Sequence, residues 1–185
     1  MAITDYLPAL DQGYLPLYLL VVSVAAIGNA AQNFGTLHYT RRIYKGLFVP
    51  NPALTRGRAA APTTRSNPED SIHKLVPASS TGKDVEKAND QMTPLAARLF
   101  AAWTFITGVI RLYAAYDVSN PVLYQLSLLT HIVAASHFLS ELLVFKTCPP
   151  SGPLVFPIIA GSTGSIWMAL QYAHYVGPIV LPWAR

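Results

Sequence analysis

Between Asp11 and Arg41 the chain carries no Asp, Glu, Lys or Arg. That interval exceeds the roughly 20 residues an α-helix needs to cross the hydrocarbon layer of a bilayer. Its apolar centre, residues 15–34, is read as a first membrane span. Three further segments of similar length and polarity follow, at residues 94–116, 121–145 and 153–175. The uncharged stretch 147–184 is too short for two more spans of about 20 residues each plus a turn. A soluble alternative fails on composition. Charged residues make up 12% of the 185 and hydrophobic ones 52%, whereas soluble domains carry about 25% charged residues. A chain this short cannot hide so much apolar surface in one water-exposed core. The fold class expected is all-α: a single-domain integral membrane four-helix bundle.

The span boundaries have local causes. Thr93 can cap a helix, and Pro94 suits its first position. Residues 117–120 make a tight connection, and Pro121 opens the third span. Pro149-Pro150 breaks the chain before the fourth, and Gly177-Pro178 is expected to end it. Residues 1–11 contain no Lys or Arg, so the basic n-region of a signal peptide is missing. The first span is therefore read as uncleaved; a removed leader, leaving three spans, is the alternative.

Residues 41–92 differ. Pro50, Pro52, Pro62, Pro68 and Pro77 interrupt them, and no helical or alternating apolar period appears. Residues 45–91 are expected to form a flexible loop, with a short turn over 86–91. Arg41, Arg42, Lys45, Arg56, Arg58, Arg65, Lys74, Lys83 and Lys87 concentrate here, while the loop at 117–120 has no basic residue. The positive-inside rule makes this loop cytosolic and puts both termini on the other side, with Arg185 a minor dissent. Its charge is mixed with Glu69, Asp70, Asp84, Glu86 and Asp90, which argues against a nucleic-acid partner.

Polar residues inside the spans are the candidate functional groups. Asn29, Gln32 and Asn33 can hydrogen-bond to a neighbouring helix or to interfacial water. Small residues four apart, which let helices approach closely, occur in every span: Ala26 and Ala30, Thr104 and Gly108, Ser136 and Ser140, Gly161 and Ser165. His137 and Glu141 share a helix face, whereas His131 lies about 240° around from His137. Two ligands on one face are too few for zinc, so no metal site is expected. Cys148, the only cysteine, permits no disulfide within one chain. Arg98, Arg111 and Glu141 are costly in hydrocarbon unless paired or snorkelling. Arg98 and Glu141 lie at similar depth, each about 20 residues from the hairpin turn, and are expected to form an ion pair. Arg111, nearer the opposite face, is expected to reach Asp117, Gln125 or headgroups. No nucleotide-binding glycine motif, P-loop, serine-hydrolase elbow or Tyr-x-x-x-Lys pair is present, and no cofactor is expected.

Longer strings carry a resemblance. They are Gly28-Asn29-Ala30-Ala31-Gln32-Asn33-Phe34; Thr93-Pro94-Leu95-Ala96-Ala97-Arg98, continuing through Trp103-Thr104 to Arg111-Leu112-Tyr113-Ala114-Ala115-Tyr116; Asn120-Pro121 with Leu123-Tyr124; His137-Phe138-Leu139-Ser140-Glu141 with Leu143-Val144-Phe145; and Trp167-Met168 with Gln171. Together they resemble the ergosterol biosynthetic protein 28 family across all four spans. The resemblance implies a non-enzymatic scaffold of the endoplasmic reticulum membrane. Its partners would be the sterol C-4 demethylation enzymes: a methyl oxidase, a 3β-hydroxysteroid dehydrogenase/decarboxylase and a 3-keto reductase. Membrane lipid is a further partner, and a homo-oligomer stays open. The loop at 45–91 is longer and richer in Pro and Ser than the family pattern, which reads as a dispensable insertion. Two other classes stand beside the scaffold. One is a sterol-binding or transport protein using the polar bundle interior. The other is an intramembrane lipid-modifying enzyme using His131, His137 and Glu141.

Overall fold

The computed structural model describes residues 6–8, 10–50, 75–77 and 89–178. Four long helices dominate: α1 (Leu15–Gly35), α3 (Pro94–Tyr116), α4 (Pro121–Leu143) and α5 (Gly152–Leu170). All four are long and apolar enough to cross a membrane. Two short helices accompany them, α2 (His38–Ile43) and α6 (Tyr172–Tyr175). The fourth span thus ends earlier than its expected limit at residue 175. Gly177 follows α6 with a φ of 92°, a left-handed conformation in which a Cβ would be strained.

The start signals act as expected. The Thr93 side chain accepts from the Ala96 N–H at 3.1 Å. Asn120 Oδ1 accepts from the N–H groups of Val122 and Leu123 at 3.1 and 3.3 Å. Each cap satisfies amide donors that a helix start leaves unpaired.

The region after the first span is more ordered at its edges than a loop. Residues 41–43 belong to α2, whose Thr40 and Ile43 are buried while Arg41 and Arg42 face outward. Three short strands, β1 (Leu47–Pro50), β2 (Leu75–Pro77) and β3 (Asn89–Asp90), form an antiparallel set in the order β2-β1-β3. Phe48 pairs with Pro77 on one side of β1 and with Asn89 on the other. The expected turn over 86–91 is therefore replaced at its end by β3. These runs are too short for period counting, and pairing across distant sequence is invisible to it. The rest of the expected flexible loop, residues 51–74 and 78–88, and Arg185 lie outside the described residues.

Helix packing follows residue size. The buried face of α3 holds Ala97, Ala101, Thr104, Gly108 and Ala115, all small, with Arg111 as its one long side chain. It packs closely on Leu19, Val22, Ser23 and Ala26 of α1, where Ser23 Oγ donates to the Gly108 carbonyl at 2.7 Å. The helices α4 and α5 form a second close pair. A Cβ on Gly161 would lie 2.9 Å from the Ala135 backbone nitrogen, and the Tyr124 hydroxyl donates to the Met168 carbonyl at 2.7 Å. Of the expected small pairs, Ala26–Ala30 and Thr104–Gly108 are buried, and Gly161 lies at a contact. Ser136 instead faces outward.

Two apolar clusters close the bundle at its ends. One gathers Leu15, Leu19, Ala115, Val118, Tyr124 and Met168; the other gathers Ile43, Tyr44, Met92, Phe138, Cys148 and Leu154.

Candidate functional site

Between these clusters lies a cavity of about 290 Å³ lined by all four long helices and α2. Val22, Ala25, Ala26, Asn29 and Gln32 come from α1, and Tyr39 and Ile43 from α2. The helix α3 contributes Phe100, Trp103, Thr104, Thr107 and Arg111. The α4 and α5 wall is Ala134, Phe138, Phe156, Pro157, Ala160 and Gly161. Pro157 has no N–H to give the Pro153 carbonyl, and the Tyr39 hydroxyl takes that carbonyl at 3.4 Å. A proline inside a span is thereby tolerated, and its missing bond ties α2 to α5.

Arg111 is the buried charge of this wall. Its Nε donates to Thr130 Oγ1 at 3.0 Å and its Nη2 to the Thr130 carbonyl at 3.1 Å. The partner is thus Thr130 rather than Asp117, Gln125 or headgroups. Position along the helix suggested the latter groups, but Arg111 sits on the buried face of α3, which turns the guanidinium inward. Gln125 bonds to the Tyr172 hydroxyl.

The amides divide. Asn29 and Gln32 line the cavity. Asn33 is buried beside it, accepting from Thr40 Oγ1 at 2.5 Å and donating weakly to Asn29 at 3.4 Å. Asn33 thus secures the turn from α1 into α2.

His137 and Glu141 belong to a second cluster, at the end of the bundle that carries α2. The Tyr44 hydroxyl and His137 Nε2 are 2.7 Å apart, and His137 Nδ1 is 3.8 Å from Glu141 Oε1. Burial pushes the Tyr44 phenol far above its ordinary value, so the hydroxyl remains protonated. Glu141 also accepts a hydrogen bond from the Thr147 hydroxyl. Arg98 is not part of it: among the described residues no ion pair joins Arg98 to Glu141. The two match in depth, but Arg98 follows Ala97 by about 100° of helix rotation. Ala97 is buried and Arg98 is exposed. Its long side chain is free to reach the interface.

His131 lies next to Thr130, close enough to Arg111 to feel its charge, and among the described residues is not hydrogen-bonded to either cluster. Its ring packs under Gly164, where a Cβ would come within 2.1 Å of it, and its Nδ1 bonds to the Ser127 carbonyl at 2.8 Å. Among the described residues no group of three or more His, Cys, Asp or Glu is placed to hold a metal ion.

Sequence reasoning missed Tyr44, Thr130 and Thr147. Only the Thr104, Thr107, Arg111 stripe, at helical spacing, left a readable signal.

A family model described as Erg28 like protein matches residues 15–166. "Ergosterol biosynthetic protein 28" of Gibberella zeae is 45% identical over 95% of this chain and 97% of its own length. The protein of that name from Candida albicans is 33% identical over 92% of this chain and 94% of its own. The one from Saccharomyces cerevisiae is 29% identical, covering 92% and 88%. No solved structure matches the chain.

Proposed function

The chain belongs to the Erg28 family, multi-pass membrane proteins of sterol biosynthesis, and we propose that it is a non-enzymatic scaffold holding the sterol C-4 demethylation enzymes together. The partners in this reading are a methyl oxidase, a 3β-hydroxysteroid dehydrogenase/decarboxylase and a 3-keto reductase, in the endoplasmic reticulum membrane. One observation carries it. His137 and Glu141, the two ionisable groups that share a face of α4, are engaged by Tyr44 and Thr147 in joining the helix to neighbouring turns. These contacts hold the α2 end of the bundle in shape, which is the role a scaffold needs from them.

A tether contributes effective concentration rather than chemistry. Removing the protein should raise 4-methyl sterol intermediates several-fold while each purified enzyme keeps its activity. Fusing the enzymes to one another should partly restore flux without the scaffold. Recovery of none of the three enzymes with the full chain from mild detergent, together with turnover of a sterol by the isolated chain, would overturn the reading.

A further inference from the structure

The central cavity exposes a cation with nothing to neutralise it. Arg111 is 7% exposed. Its two hydrogen bonds use Nε and Nη2, both to Thr130. Among the described residues, Nη1 has no partner and no carboxylate forms an ion pair with this guanidinium. A charge held inside a membrane bundle is costly without a counterion.

A second group at the same wall is also unsatisfied. Thr104 is 7% exposed, lines the cavity, and its Oγ1 has no hydrogen-bond partner. Buried hydroxyls are normally bonded. Thr104, Thr107 and Arg111 follow one another at three- and four-residue steps, so they form a single polar stripe on α3. Around that stripe the wall is mostly hydrocarbon and aromatic, including Phe100, Trp103 and Phe156, with the amides Asn29 and Gln32 on the α1 side. One anionic group beside an apolar body is what such a wall complements.

We propose that this cavity binds the carboxylate end of an amphipathic membrane acid. Arg111 pairs with the carboxylate, and the aromatic wall holds the adjoining hydrocarbon. Access is lateral. The close helix pairs are α1 with α3 and α4 with α5, whereas α1 and α5 meet sparsely. Phe156, on the α5 side of that seam, is exposed. A lipid headgroup phosphate fits less well. Thr130 holds the guanidinium toward the bundle interior, away from the hydrated surface where phosphates lie.

The choice of a sterol acid among such acids rests on the function proposed above. A methyl oxidase followed by a decarboxylase must pass a carboxylic acid between them, because a carbon leaves as carbon dioxide only from that oxidation level. A scaffold that also holds this acid would keep it from escaping into the bilayer between the two steps.

The test uses the full chain in mild detergent without partner enzymes. Three photoreactive probes are compared: a sterol bearing a ring carboxyl, the same sterol bearing an alcohol there, and a long-chain fatty acid. The sterol acid should label the protein at least ten-fold more than the sterol alcohol. Arg111→Gln should bring acid labelling down to the alcohol's level and leave the alcohol's unchanged. Should Arg111→Gln fail to fold, Ala25→Phe keeps the guanidinium and fills the cavity from α1, and acid labelling should again be lost. Fatty-acid labelling with the same dependence on Arg111 supports the site and assigns its acid to that source. Equal labelling by sterol acid and alcohol, or acid labelling that neither substitution lowers, overturns the proposal. Enzyme recovery is scored in a separate pull-down; its loss with Arg111-dependent labelling intact removes the scaffold and leaves the cavity assignment standing.

Discussion

Glu141 accepts from the Thr147 hydroxyl across the turn that ends α4, and its carbonyl receives the Thr147 N–H at 3.0 Å. A carboxylate tied to its own turn needs no cation on another helix. A double-mutant cycle of Glu141→Gln with Thr147→Val should therefore show coupling of about 0.5–2 kcal/mol. The cycle of Arg98→Leu with Glu141→Gln should show none. Cys148 provides the reporter for both. It is fully buried, and burial pushes its thiol up to about 12. Below that pH the thiolate, the reactive form, stays scarce in the folded protein. Labelling by a thiol dye at pH 8 should thus be slow until the bundle opens, and its midpoint temperature measures stability. Strong coupling between positions 98 and 141 would show that the ion pair forms after all.

At the scale of the helices, glycines mark where backbones meet. A Cβ on Gly164 would sit 2.1 Å from the His131 ring, which its bond to Ser127 keeps in place. On Gly161 it would meet the backbone of Ala135 at 2.9 Å, which cannot swing aside. On Gly108 it would meet Cγ1 of Ile27 at 2.9 Å, the Ala26 Cβ at 3.3 Å and the Ile27 backbone nitrogen at 3.4 Å, and a β-branched side chain on a helix has little freedom to turn away. On Gly28 nothing lies within 4 Å. Glycine-to-alanine changes should therefore be costly at 164, 161 and 108, about 1–3 kcal/mol as overpacking does. Gly28→Ala should be neutral or slightly stabilising. Thermal midpoints of the four variants give the order; a Gly28→Ala loss as large as that at 164 would contradict this packing. The helices themselves were legible in advance, because length, polarity and caps are local properties. Which glycine touches what was not, since small-residue spacing marks a face without naming its neighbour.

Across the whole molecule, two close helix pairs enclose a cavity with a sparse seam between α1 and α5. The charge asymmetry gives such a body a direction: Arg41 and Arg42 lie in α2 at one end, and residues 117–120 carry no basic residue at the other. The α2 end is expected to face the cytosol. A glycosylation acceptor introduced near Ser80 should stay unmodified, and one introduced in the 117–120 turn of a suitably extended loop should be modified. The reverse pattern would invert the topology. Composition and the spacing of uncharged runs decided, without any structure, that the chain spans a membrane and where its helices begin. Bilayer thickness and backbone hydrogen bonding leave a run of that length little choice. Quoted strings sufficed for the family as well. Partner choice needed the tertiary structure. Depth along a helix can be counted from a turn, but azimuth relative to a neighbour depends on how two surfaces pack. That rotation sent Arg98 outward, turned Arg111 in toward Thr130, and left the guanidinium facing a cavity.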